Sequence, residues 1–149
     1  MSRASVVVAD DESIIRMDLT ETLSNAGYQV LGQASDGQSA LDAINLHKPD
    51  VAILDIKMPL LDGIEVARAV RHEVPVVLLT AFAQTDIVTQ ASEAGAMGYL
   101  VKPFTEAEVV AAIEIAIRRF ADVQAIAHER DALTATLASR KLMDRAKGL

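Results

Sequence analysis

Five polar side chains, each at the end of a short apolar stretch, are the residues best suited to chemistry in this chain. They are Asp10, Asp11, Asp55, Thr80 and Lys102. Carboxylates about 4 Å apart repel by roughly 4 kcal/mol per pair at an effective dielectric constant near 20, so a positive charge must compensate them. Mg²⁺ takes carboxylate, water and phosphate oxygens, whereas a lysine ammonium and a threonine hydroxyl suit phosphate oxygens. The set predicts a Mg²⁺ site that handles a phosphoryl group.

Asp55 is the predicted nucleophile of this set. A carboxylate is already deprotonated at neutral pH, so it can attack phosphorus in line and form an aspartyl phosphate without a separate base. Asp55 follows the apolar run of residues 51–54, which does not alternate and so predicts a central strand buried on both faces. One Asp at such a position is most often a turn former or a helix cap, but this interpretation does not explain five polar positions in order.

Five apolar runs alternate with five helical patterns along the first 120 residues. The predicted strands are residues 5–9, 28–32, 51–55, 76–79 and 98–101. Gly27 stops the first predicted helix, and Thr105 with Glu108 predicts a capping box at the start of the last. The alternation predicts an α/β fold, a doubly wound parallel (βα)5 sheet with helices on both faces. Such sheets bind ligands beyond the carboxyl ends of their strands, where the five polar residues fall.

Composition limits the class of protein. With 149 residues, of which 51% are hydrophobic, the chain can bury one core of ordinary size and form an extension. It has no cysteine, no apolar leader and no run long enough to cross a bilayer, which predicts a cytoplasmic protein without a membrane partner. Residues 1–117 carry 7 basic and 17 acidic side chains, and residues 118–149 carry 7 and 4. Nucleic-acid binding is therefore expected only of the tail.

The strand-end residues and their neighbours also resemble a known family. The receiver domain of two-component response regulators shares Asp10-Asp11, Asp55 with Met58-Pro59 and Asp62-Gly63, Thr80-Ala81, and Lys102-Pro103-Phe104. The resemblance covers about residues 4–120 and implies a flavodoxin-like sheet in the order 2-1-3-4-5, with a receiver domain over residues 1–120. It implies a phosphoacceptor signalling protein rather than an enzyme, in which Asp55 receives phosphate from a sensor histidine kinase or a small acyl phosphate.

The same resemblance assigns roles within the site. Mg²⁺ would be held by Asp11, Asp55 and the backbone carbonyl of Lys57, with Asp10 acting through water. The peptide bond between Lys102 and Pro103 would be cis.

The resemblance also implies a switch. The Thr80 hydroxyl would be drawn to the phosphate, and an aromatic side chain on the fifth strand, here Tyr99, would turn inward to fill the vacated space. The expected output surface then lies around Tyr99 and the fourth and fifth helices.

Residues 121–149 are predicted to form a helical linker followed by the start of a second domain. Leu137–Leu149, with Arg140-Lys141-Leu142, is similar to the opening of the ANTAR RNA-binding domain of actinobacterial antitermination regulators. That resemblance implies an RNA hairpin as partner if the domain is completed beyond Leu149, in which case this chain is truncated. A spacing near 3.5 residues among Val123, Ile126, Leu133 and Leu137 indicates packing against the body or a homodimer.

Two other functions remain as alternatives. A stand-alone receiver that acts by protein binding would need no nucleic-acid partner, and the scattered aromatic residues, which form no base-stacking platform, favour it for the body. A haloacid-dehalogenase-type phosphatase also uses an Asp nucleophile after a strand, but it needs a second acid where this chain has Lys57.

Overall fold

The computed structural model describes residues 3–81 and 85–148, and side chains over 3–81 and 86–127. A single sheet of five parallel strands has the order β2-β1-β3-β4-β5, which confirms the predicted topology. The strands are β1 Ser5–Ala9, β2 Gln29–Ala34, β3 Val51–Asp55, β4 Val76–Thr80 and β5 Gly98–Val101. The helices are α1 Ser13–Asn25, α2 Gly37–His47, α3 Gly63–Val70, α4 Thr85–Glu93 and α5 Glu106–Gly148.

The central strand β3 is fully buried because helices cover both faces of the sheet. Ala52 and Leu54 belong to a core cluster that also contains residues of α2 and α3. Val51 and Ile53 point the other way, into a cluster with residues of α1 and α5. Apolar side chains are needed at successive positions, which explains why the run does not alternate. The charged residue that ends this strand is therefore held against a rigid, dry core.

The second strand departs from its predicted bounds. It begins at Gln29 and ends at Ala34, rather than covering residues 28–32. Tyr28 lies before it, buried against α5, where its hydroxyl donates to Glu114 at 2.6 Å. Pairing with β1 defines the strand, and it continues past Gly32 although Gln33 is exposed. On an edge strand, backbone hydrogen bonds rather than an apolar run decide the limits.

A complete capping box occurs at the start of α3 and not at the predicted position. Asp62 accepts from the Glu65 amide at 2.8 Å, and the Glu65 carboxylate accepts from the Asp62 amide at 3.3 Å. At the start of α5, Thr105 accepts from the Glu108 amide at 3.2 Å, as predicted. The Glu108 carboxylate, however, accepts from the Thr105 hydroxyl at 3.0 Å rather than from the backbone. The prediction of reciprocal amide capping at Thr105 was therefore wrong in its second half.

The last helix is long and continues past the body, as the predicted helical extension requires. Its Gln124 side chain donates to the His72 carbonyl at 2.8 Å, which ties the first part of the extension to the loop before β4. The predicted seam residues Leu133 and Leu137, and the segment Leu137–Leu149, lie outside the described side chains. Among the helices that the structure describes, none is long and apolar enough to cross a bilayer.

Candidate functional site

Three carboxylates from two strand ends meet at the carboxyl edge of the sheet. Asp10 and Asp11 follow β1 and Asp55 ends β3, and one oxygen of each lies within 4.8 Å of the others. Asp10 is fully buried, Asp55 is 6% exposed and Asp11 is exposed. Because β1 and β3 are hydrogen-bonded neighbours in parallel register, their ends must lie side by side. The structure therefore brings Asp10, Asp11 and Asp55 together at the edge of the sheet where the sequence predicts them.

Asp10 is held in place by the hydrogen bond from its amide to the Ala34 carbonyl at 3.1 Å and by two hydrogen bonds that it accepts. Its Oδ1 accepts from the Glu12 amide at 2.9 Å, and its carbonyl oxygen accepts from the Arg16 guanidinium at 2.7 Å. Its Oδ2 is buried and accepts no hydrogen bond, although it faces the Lys102 ammonium at 3.2 Å. A buried carboxylate oxygen with unused acceptor capacity is costly unless a water or a cation supplies a further partner. This oxygen therefore marks the cluster as suited to a hydrated cation.

Lys102 lies among the carboxylates. Its Nζ is 3.2 Å from Asp10, 3.5 Å from Asp55 and 3.8 Å from Glu12. Its backbone amide donates to the Thr80 carbonyl at 2.8 Å, and the peptide bond to Pro103 is cis, as the family resemblance implies. The nearest carboxylate to the ammonium is thus Asp10, although Asp55 also lies within ion-pair distance.

The charges in the cluster change one another's protonation. Burial and the neighbouring Asp10 carboxylate raise the pKa of Asp55 from 3.8 to about 7, although the Lys102 ammonium opposes them. Burial by itself would lower the pKa of Lys102, but the carboxylates of Asp55, Asp10 and Glu12 outweigh it and the pKa is raised. The lysine is therefore charged at neutral pH. Asp55 is only partly ionised there in the absence of a cation, so the expectation of a carboxylate that is fully deprotonated at neutral pH was wrong for this residue.

This raised pKa predicts a stability that falls with pH. The folded chain keeps a proton on Asp55 up to about pH 7, whereas the unfolded chain loses it near pH 4. Since the unfolded state binds fewer protons over that interval, the free energy of unfolding should fall as pH rises from about 4 to 7, by up to roughly 4 kcal/mol. Urea unfolding at pH 5 and pH 8 without divalent cations, compared between the wild type and Asp55→Asn, isolates this contribution. An equal pH dependence in both proteins would contradict the shift.

The loop between β3 and α3 is held by two glycines. The Gly63 amide donates to the Ile56 carbonyl at 2.8 Å, and the Gly37 amide, where α2 begins, donates to the Pro59 carbonyl at 3.1 Å. A Cβ atom on Gly63 would lie 2.3 Å from the Asp55 carbonyl oxygen, and one on Gly37 would lie 1.8 Å from that of Leu61. Both positions therefore allow only glycine unless the backbone moves. These contacts fix the path of the segment that contains Lys57.

A cavity of about 330 Å³ joins the predicted residues. Its walls include Asp11, Asp55, Lys57, Thr80 and Lys102, together with Glu12, Ile56, Ala81 and Ile87. Thr80 is buried at the end of β4, and the small Ala81 follows it. The cavity can accept a ligand the size of a phosphoryl group, next to the three carboxylates and the ammonium.

Tyr99, the predicted switch residue, lies elsewhere. It is 47% exposed and lines a separate groove with Met97 and Arg119, between β5 and the helices α4 and α5. The described structure thus has this side chain outside the cavity, on the face expected to be the output surface.

Three residues at the site were not singled out from the sequence. The Glu12 carboxylate forms an ion pair with Lys102, and the Arg16 guanidinium donates a hydrogen bond to the Asp10 carbonyl. Gly37 packs closely against Leu61, in the loop after Asp55. Glu12 and Arg16 could have been suspected, because residues next to Asp10-Asp11 and one helical turn further on return to the same edge. Nothing in the sequence connects Gly37 with Leu61, since these residues come from different strand and helix units.

The comparisons with known proteins agree with this fold and site. The family described as "Response regulator receiver domain" matches residues 6–114. Transcriptional regulatory protein PdtaR of Mycobacterium tuberculosis is 49% identical over 146 residues, which cover 97% of this chain and 71% of PdtaR. Probable transcriptional regulatory protein NarL of the same species is 44% identical over 115 residues, and the match covers 74% of this chain and 53% of NarL.

Solved structures give the same result. The signal receiver domain of Mycobacterium tuberculosis NarL superimposes with a TM-score of 0.75 at 39% identity, covering 79% of this chain and 98% of that one. Chemotaxis protein CheY4 of Vibrio cholerae superimposes with a TM-score of 0.71 at 33% identity, covering 76% and 98%. The family match over residues 6–114 and the receiver-domain structures that superimpose on this sheet place the chain in a class of signalling domains. The chain belongs to the response regulator receiver domain family of two-component systems.

Proposed function

We propose that this receiver domain, residues 1–120, accepts a phosphoryl group on Asp55 and thereby controls the output of a transcriptional regulator. The observation that carries the proposal is the meeting of Asp11, Asp55 and Lys102 in the wall of one cavity, with the buried Asp10 carboxylate beside them. The buried Asp10 Oδ2, which accepts no hydrogen bond and faces the Lys102 ammonium at 3.2 Å, supports the proposal because it keeps acceptor capacity for a bound water or cation.

The donor set fits Mg²⁺, a hard cation that prefers oxygen ligands and retains water. Asp11, Asp55 and the backbone carbonyl of Lys57 would hold it, and Asp10 would act through a bound water. When bound, Mg²⁺ supplies positive charge that offsets the carboxylate repulsion, favours ionised Asp55 and attracts phosphoryl oxygens.

The chain's own residues carry out the transfer. A carboxylate oxygen of Asp55 forms a bond to phosphorus while the bond from phosphorus to a histidine nitrogen, or to an acyl oxygen, breaks and the leaving group keeps the electron pair. The Lys102 ammonium, 3.5 Å from Asp55, moves to a phosphoryl oxygen as its carboxylate partner is modified. The Thr80 hydroxyl, in the wall of the same cavity, donates to another phosphoryl oxygen.

The proposed output passes through the surface around Tyr99. Movement of Thr80 toward the phosphate vacates space next to β5, into which Tyr99 turns, so that the groove it shares with Arg119 changes shape. Arg119 belongs to α5 and donates to the Met97 carbonyl at 3.3 Å, which links this surface to the helix that leaves the body. A sensor histidine kinase is the proposed phosphate donor.

The effector is proposed to be RNA-binding transcription antitermination. Its support is the resemblance of residues 137–149 to the start of an ANTAR domain, the positive charge of residues 118–149, and the similarity to a transcriptional regulatory protein. Residues 121–149 would then be a linker and the start of that domain, with a homodimer formed along the helix. Fluorescence anisotropy with hairpin RNAs, before and after phosphorylation, tests this role in a protein that carries a complete ANTAR domain after the receiver, because residues 137–149 resemble only its start. Absence of binding by both forms of that protein would favour a receiver that acts by protein binding.

Phosphoryl acceptance is tested directly with acetyl phosphate. Incubation with this donor and Mg²⁺ should add one phosphoryl group per chain, and borohydride reduction followed by peptide mapping should locate it at Asp55. Chelation of Mg²⁺ should suppress the reaction, because the carboxylate repulsion is then uncompensated. Incorporation that is unaffected by chelation, or located at another residue, would refute the proposed chemistry.

A further inference from the structure

We propose that Glu12 is a specificity-determining residue, which lowers the reactivity of Asp55 toward doubly charged small phosphodonors. The inference rests on the proposed function, because it concerns which donors reach the site. Glu12 is absent from the group of carboxylates whose oxygens lie close enough to share a cation, so it is not required as a metal ligand.

Glu12 places a negative charge at the entrance of the cavity. Its carboxylate lies 3.8 Å from the Lys102 Nζ, its side chain is 63% exposed, and it forms part of the cavity wall. Glu12 is also the residue that precedes α1, where a side chain often caps the helix, but its side chain makes no capping hydrogen bond. The described contact of the Glu12 carboxylate is therefore with the catalytic ammonium.

This contact has two consequences for an incoming donor. The Lys102 ammonium already forms ion pairs with Asp10 and Asp55, and Glu12 adds a third carboxylate. These ion pairs compete with the phosphoryl oxygens of the donor for the same ammonium. The Glu12 carboxylate also repels the donor directly. Coulomb energy is proportional to the donor's charge, so a dianion is disfavoured about twice as strongly, in free energy, as a monoanion. A phosphohistidine delivered by a protein has a whole interface to offset this repulsion.

Two small donors separate the effect of charge from the effect of chemistry. Near neutral pH acetyl phosphate is a dianion, and phosphoramidate is mainly a monoanion. In both reactions an Asp55 oxygen bonds to phosphorus. The phosphorus–oxygen bond to acetate breaks in one and the phosphorus–nitrogen bond in the other, and acetate or ammonia leaves with the electron pair. Removal of the Glu12 charge should accelerate the first reaction more than the second.

The experiment measures the second-order rate constant of phosphorylation with each donor, at low ionic strength and at Mg²⁺ concentrations shown by calorimetry to saturate each protein. Glu12→Gln should raise the rate constant about five- to tenfold with acetyl phosphate and about two- to threefold with phosphoramidate. Glu12→Asp keeps the charge and should remain within about twofold of the wild type. Glu21→Gln makes the same change of net charge on the exposed surface of α1 and should alter neither rate. Added salt should reduce the difference between donors.

The outcomes distinguish this inference from the proposed function. If the wild type is phosphorylated at Asp55 but Glu12→Gln changes both rates equally, the charge effect is refuted and the proposed function stands. If Glu12→Gln slows both reactions, Glu12 positions Lys102 instead, and the inference is wrong. If neither donor phosphorylates the wild type or Glu12→Gln, both the inference and the proposed function fail.

Discussion

The Asp55→Asn variant is expected to take up no phosphoryl group, whatever donor is supplied. An amide oxygen has almost no nucleophilicity compared with a carboxylate, and Asp55 is the member of the cluster that is both 3.5 Å from Lys102 and in the wall of the cavity. We expect a loss of at least about a thousandfold in the rate of incorporation, which places it below detection by intact-mass measurement.

This loss can be separated from unfolding. Asparagine has nearly the same shape as aspartate, and it removes the carboxylate whose pKa burial and Asp10 raise to about 7, so the variant should be at least as stable as the wild type above that pH. Asp42→Asn, on the exposed side of α2, is the matched control and should be phosphorylated at the normal rate. Stoichiometric incorporation of phosphoryl groups by Asp55→Asn would mean that another residue is the nucleophile.

The Gly37→Ala variant is expected to lose much of its stability and of its affinity for Mg²⁺. The added Cβ would lie 1.8 Å from the Leu61 carbonyl oxygen and 2.5 Å from its carbonyl carbon, so that backbone must move. Alanine has a better helix propensity than glycine by about 1 kcal/mol, but overpacking against backbone should exceed this, and we expect a net destabilisation of about 3 kcal/mol. Urea unfolding measures the stability, and calorimetric titration measures Mg²⁺ affinity.

The effect on the metal follows from the path of the loop. Gly37 also donates its amide to the Pro59 carbonyl at 3.1 Å, so displacement of α2 or of the loop changes the segment that follows Asp55 and includes Lys57. Gly98→Ala serves as the control, because the nearest atom to its added Cβ is 4.0 Å away. Comparable losses in both variants would mean that the close approach of Gly37 to Leu61 is not the cause.

Two large apolar side chains are exposed on segments next to the candidate site. Ile14 and Leu60 are large, exposed apolar side chains, at the start of α1 and in the loop after β3 respectively. Leu60 also has a positive φ of 70°, a conformation that costs an ordinary side chain roughly 1 kcal/mol. Both belong to segments at the carboxyl edge of the sheet, where a phosphodonor would approach under the proposed function.

The sequence by itself determined the class of sheet, parallel and doubly wound, and the chemical composition of the site, whereas the strand order came from the family resemblance. Short apolar runs without alternation indicate strands covered on both faces, and their alternation with helical patterns indicates that those strands are parallel. Parallel strands end at one edge, which brings together Asp10, Asp11, Asp55, Thr80 and Lys102. These inferences depend only on periodicity and on the direction of the chain.

Only the tertiary structure decided how those residues interact. Lys102 is closer to Asp10 than to Asp55, and Asp55 has a pKa near 7, because such properties depend on separations of a few ångströms between different strands. The same holds for Glu12 at the entrance and for Gly37 against Leu61. A pattern along one segment specifies which face is buried. Coulomb and contact energies vary within an ångström or two, and they are set by how separate segments pack.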